Sequence, residues 1–71
     1  MENVKKRIIE LLREKLPTSL LQDVDEIEKL IMQEKYRVAY LKMYEIRKSQ
    51  AWSPTSEYLE LMEIFWWNFA N

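Results

Sequence analysis

The chain has 71 residues, 48% hydrophobic and 32% charged, with 11 Lys and Arg against 12 Asp and Glu, a balance that is globular rather than disordered and sized for one core. It contains no cysteine and no histidine, which excludes disulfides, thiolate metal sites, and the commonest zinc ligand and general base. Basic residues precede an apolar patch in MENVKKRIIELL, but Glu10, Arg13 and Glu14 interrupt it before a signal-like stretch forms, and apolar runs such as 64–67 fall far short of the roughly 20 residues of a spanning helix. A soluble cytoplasmic protein with no membrane association is expected.

No glycine occurs anywhere, so turns needing positive φ are hard to build and β-hairpins are disfavoured. Apolar residues recur instead at spacings of three and four. The pattern predicts an all-α fold, a small antiparallel bundle of three to four helices without β-structure, with helices over about 3–16, 19–33, 35–50 and 54–70 in a single domain. The first sets Val4, Ile8, Leu11, Leu12 and Leu16 on one side, with Lys5, Lys6, Arg13 and Glu14 largely on the other, and Pro17 ends it. Ser19 and Gln22 have capping-box spacing at the start of the second, whose stripe is Leu20, Val24, Ile27 and Ile31.

The segment IMQEKYRVAY contains no Pro, Gly, Asn or Asp, and its composition also allows one continuous helix over 19–50. Periodicity favours a break at about 33–35. At about 100° per residue, the stripe of Tyr36, Ala39, Tyr40, Met43 and Ile46 is centred roughly 150° from that of the second helix, while Val38 and Leu41 continue the earlier one. In SQAWSPTSE, Ser53 reads as N-cap, Pro54 as the first helical position and Glu57 as a first-turn acid. The last helix then carries Tyr58, Leu61, Met62, Phe65 and Phe69 inward.

Tyr36, Ala39 and Met43 in EKYRVAYLKMYEI follow an aromatic–small–bulky spacing of three and then four. This segment resembles the inter-helix turn and second helix of a single tetratricopeptide-type hairpin. It departs from that pattern at Glu34, where the motif usually has glycine, and at Ile46, where it has a second small residue; one copy is present. The resemblance implies peptide or protein binding rather than catalysis.

Charge alternates along the chain: net +2 over 1–16, −4 over 17–34, +4 over 35–50 and −3 over 51–71. In an up-down bundle this gives neighbouring helices complementary rims, a field effect rather than a sum of strong pairs. The acidic run DVDEIE lacks the glycine and spacing of a calcium loop. Asp25 and Glu28 could share a weak divalent site on one helix face, but read more simply as a solvated surface. Thr18, Ser19 and Ser53 read as caps. No catalytic residue, metal ligand or cofactor site is assigned, and no enzyme is expected.

Two surfaces remain as functional candidates. On a helical wheel Phe65 and Phe69 face inward, Leu59 and Trp66 flank them, and Trp67 falls between Glu60 and Glu63 on the far side. Exposed Trp and Tyr are typical interface anchors, so Trp67, with Trp66, Leu59, Val38 and Leu41, forms a candidate protein interface for a homodimer or another protein. The alternative is a nucleic-acid face built from Arg37, Lys42, Arg47 and Lys48, interleaved with Tyr36, Tyr40 and Tyr44 and supplemented by the KKR cluster at 5–7. The sequence pI of about 5.4 argues against that alternative. The acidic last helix argues against a membrane surface.

Overall fold

A computed structural model describes residues 2–49 and 52–71. Four α-helices follow one another, with no strand among the described residues: α1 (Glu2–Lys15), α2 (Leu21–Met32), α3 (Tyr36–Arg47) and α4 (Ser56–Phe65), the last continuing into a π-helical turn, Trp66–Ala70. The expected end of the third helix at Gln50 lies outside the described residues.

In α1 the three- and four-residue spacing buries Ile8, Leu11 and Leu12, with Leu16 just beyond, and adds Ile9. The Leu16 amide still donates to the Leu12 carbonyl at 2.9 Å. Pro17, with φ −65° and ψ 156°, then turns the chain out of the helix.

The capping box expected at Ser19 is not formed. A 3₁₀ turn, Thr18–Leu20, follows the proline instead, and α2 starts at Leu21 without a side-chain cap. The backbone supplies what Ser19 would have: Pro17 and Thr18 carbonyls accept from the Leu20 and Leu21 amides.

The break between α2 and α3 is a tight reversal. Glu34 has φ 59°, in the left-handed region that favours glycine. Its amide donates to Ile31 O at 3.0 Å and that of Lys35 to Leu30 O at 2.9 Å. Those two bonds are the Schellman pair that satisfies the last carbonyls of a helix.

The start of α4 also differs from expectation. Thr55, not Ser53, is the N-cap, its hydroxyl accepting from the Tyr58 amide at 3.1 Å. Pro54 precedes the cap, outside the helix. Starting at Thr55 leaves Trp52 free to fold back, its ring edge-on to Tyr58 at 5.2 Å. Glu57 does stand in the first turn.

Contacts between elements set the directions. Lys42 on α3 reaches Asp23 and Glu26 near the start of α2. Tyr36 at the beginning of α3 packs on Phe69, and Met43 further along accepts a hydrogen bond from Tyr58. Later positions of α3 therefore meet earlier positions of α2 and of α4, which is antiparallel packing on both sides. α1 closes the ring, contacting both α2 and α4.

The core holds Ile8, Leu11, Leu12, Val24, Ile27, Met43, Tyr58 and Phe65 as its largest fully enclosed side chains. Each such aliphatic or aromatic group contributes roughly 1.5–3 kcal/mol. Ordering each residue costs about 1–2 kcal/mol of backbone entropy, so the surplus in so small a chain is modest. Tyr58 is the polar group inside. Its hydroxyl donates to Met43 O at 2.8 Å, and burial pushes its pKa well above the ordinary 10.0.

The accessible surface, 4791 Å², is what size scaling gives for a folded 8.8 kDa monomer, about 4,800 Å². The chain is therefore as compact as a folded monomer of its size, and what matters is where its exposed apolar side chains are concentrated.

Candidate protein-interaction surface

Most of the aromatic load is internal. Among the described residues, seven of the nine aromatic side chains pair ring to ring: Tyr36 with Phe65 and Phe69, Phe65 with Phe69, Tyr40 with Trp66, and Trp52 with Tyr58, at centroid distances of 5.1 to 5.9 Å. The other two are Tyr44 and Trp67, both exposed.

The π-helical turn places the end of this cluster. Asn71 N donates to Trp66 O at 2.7 Å, an i→i+5 bond that brings residues five apart onto one face. Phe65 and Ala70 are accordingly both buried, although an α-helical wheel sets them about 140° apart. Arg37 Nε holds the turn against α3 by donating to Ala70 O at 2.9 Å. Asn68 donates its side-chain amide to Ile64 O at 2.8 Å. Phe69, expected inward, is half-buried against Tyr36.

The result on the outside is a shallow groove of about 480 Å³ between α3 and the turn, lined by Arg37, Tyr40, Leu41, Tyr44 and Trp66. Leu41 is 61% exposed. Arg47 and Lys48 stand over the Tyr44 ring at 5.5 and 5.3 Å, so the groove is aromatic with a cationic rim.

Trp67, 63% exposed, lies on a different surface, beside Glu60, Glu63 and Ile64. Val38, 51% exposed, borders a third hollow with Lys35, Tyr36 and Phe69. Leu59 is exposed at the margin of α4. Of the five candidate interface residues, the structure thus joins Leu41 and Trp66 in one groove and sets Trp67 on the neighbouring acidic face.

Tyr44 is the residue the interface assignment missed. Its signal was the spacing Arg37–Leu41–Tyr44–Lys48, a second helical stripe on α3 behind the core-facing one.

The cations of the alternative face separate. Lys42 is taken up by Glu26 at 3.1 Å and Asp23 at 3.5 Å, and these contacts raise its pKa, the Glu26 hydrogen bond most. Arg37 is bound to Ala70 O. Arg47 and Lys48 remain at the surface.

The KKR cluster disperses as well. Lys5 Nζ sits over the Tyr36 and Phe69 rings at 4.8 and 4.6 Å and donates to the Tyr36 hydroxyl at 2.9 Å. Arg7 grips Glu57 with two bonds of 2.7 and 3.0 Å.

Asp25 and Glu28 converge on Arg13 at 3.0 and 2.8 Å, so their proximity serves the α1–α2 pairing. Among the described residues no three His, Cys, Asp or Glu side chains gather as a metal site, and no helix is long and apolar enough to cross a membrane.

A second, larger groove of about 560 Å³ runs between α1 and α2 over Ile9, Ile31 and the 79% exposed Met32. Its rim mixes signs, Lys6 and Arg13 against Glu10 and Glu28. Because Arg13 and Glu28 already bind each other, it selects no partner by charge.

The fold and surface define a four-helix all-α protein with an aromatic, cation-rimmed groove beside its C-terminal turn. Comparison with protein-family models, curated proteins and solved structures finds no match to this chain.

Proposed function

We propose that this chain is a small, non-enzymatic protein-interaction module that self-associates as a homodimer through the outer face of α3 and the adjoining C-terminal turn. The carrying observation is the groove in which Leu41 and Tyr44 are exposed beside Trp66. Aromatic residues of this kind dominate binding energy when a partner covers them. The resemblance of EKYRVAYLKMYEI to the turn and second helix of a tetratricopeptide-type hairpin supports the same class of role, with Ala39 and Met43 fully buried in the fold and Tyr36 half-buried. The cytoplasm is proposed as the compartment.

Sedimentation velocity over a concentration series tests the reading. Wild type is expected to dimerise, and Leu41→Glu to stay monomeric with the thermal melt of the dilute wild-type monomer, because Leu41 is at the surface. Wild type that is monomeric at every concentration, like the variant, would remove the homodimer.

A second reading rests on Tyr44 between Arg47 and Lys48, which could stack a base and neutralise phosphates. It requires a salt-sensitive gel shift with single-stranded RNA or DNA that Arg47→Glu with Lys48→Glu abolishes.

A further inference from the structure

We infer that the occupant of the α3 groove is the Trp67 face of a second copy, so that each protomer gives its Trp67 and receives its partner's. This rests on the self-association reading above and adds what sits in the groove.

Two surfaces of one molecule carry complementary shape and charge. The groove is concave and aromatic, about 480 Å³, with Arg37 in its lining, and Arg47 and Lys48 stand over the ring of Tyr44, one of its lining residues, without an ion pair among the described residues. The other surface projects Trp67, 63% exposed, with Ile64 at 38%. Glu60 and Glu63 flank it and have no ion pair among the described residues. Inside the protomer the charges at the helix contacts pair with one another: Arg7 with Glu57, Arg13 with Asp25 and Glu28, Lys42 with Asp23 and Glu26. Two of the unpaired cations, Arg47 and Lys48, thus stand over an aromatic ring of the hollow, and two of the unpaired carboxylates, Glu60 and Glu63, stand beside an exposed indole.

An indole fits the hollow, and its docking would bring Glu60 and Glu63 toward Arg47 and Lys48. Charge would then steer the encounter while the aromatic contact holds it. Trp66 lines the groove and Trp67 is the next residue, so donor and acceptor surfaces are neighbours at one end of the molecule. That adjacency suits a twofold pair, in which the same contact is made twice and closes, rather than an open chain of subunits.

Reciprocal charge reversal is the test, read by sedimentation equilibrium. One variant carries Arg47→Glu and Lys48→Glu, the other Glu60→Lys and Glu63→Lys. In a twofold pair each variant alone opposes like charges at both contacts, whereas a mixture opposes unlike charges at both.

Each variant alone is expected to dimerise at least tenfold more weakly than wild type, and the equimolar mixture to recover a heterodimer. Trp67→Ala should weaken the wild-type dimer tenfold or more without moving the monomer's melt. Wild type that dimerises with charge variants as tight as itself, or a mixture that recovers nothing, would overturn this occupant while leaving self-association standing. Wild type that is monomeric throughout would remove both.

Discussion

Glu34 occupies the one described non-glycine position with positive φ, at 59°. Left-handed backbone costs a residue with a Cβ about 1–2 kcal/mol, and glycine escapes that cost while losing more chain entropy on folding. The Schellman bonds from Glu34 and Lys35 use backbone atoms alone, so a glycine keeps them. Glu34→Gly should therefore stabilise the protein by about 1 kcal/mol in urea denaturation, with an unchanged slope. This position is also one at which the sequence departs from the tetratricopeptide pattern, which usually has glycine there. The turn could be located from the sequence because the apolar stripe changed direction there. Its left-handed residue could not be, since glutamate carries no signal for it.

Between elements, charge alternation is realised as specific pairs. The basic α1 binds acidic α4 through Arg7 and Glu57, and acidic α2 through Arg13; basic α3 binds α2 through Lys42. Arg7 holds the Glu57 carboxyl below its ordinary 4.5, chiefly by hydrogen bonding. A folded pKa below the unfolded one means the contact stabilises fully above about pH 4.5 and is lost as the pH falls through the lowered value. Glu57→Gln should therefore melt below wild type at neutral pH, and the two melting temperatures should converge as the pH is taken below 4.5. Parallel curves across that range would show that the pair contributes nothing. The sign of each helix was legible from composition, but the partners were not. Asp25 and Glu28 read as a solvated face or a weak cation site until α1 brought Arg13 over them.

For the whole molecule, the proposed self-association would tie the stability of a modest core to protein concentration. A partner that binds only the folded state raises its apparent stability by mass action. The wild-type melting temperature should then climb with protein concentration, and that of Leu41→Glu should not. Calorimetry at concentrations spanning a hundredfold reads this directly, and a wild-type melt independent of concentration would count against the homodimer.

The sequence by itself determined the all-α class and nearly all of the core, and its periodicity favoured the break near 33–35 that makes the helices four. Each of these depends on local spacing, on Pro17, or on the lack of glycine, and none needs a distant residue to be known. It also singled out Trp67, since Glu60 and Glu63 share its side of the helix. Only the tertiary structure decided how α2 and α4 begin, where the 3₁₀ turn at Thr18–Leu20 and the Thr55 cap with the Trp52–Tyr58 contact stand in place of the side-chain signals at Ser19 and Ser53. It also decided the widened turn at Trp66–Ala70, because Arg37 from another helix binds Ala70 O and the i→i+5 register buries Ala70 beside Phe65. The groove exists for the same reason: helical periodicity says which way a side chain points on its own helix, and only packing says which side chain of another helix stands next to it.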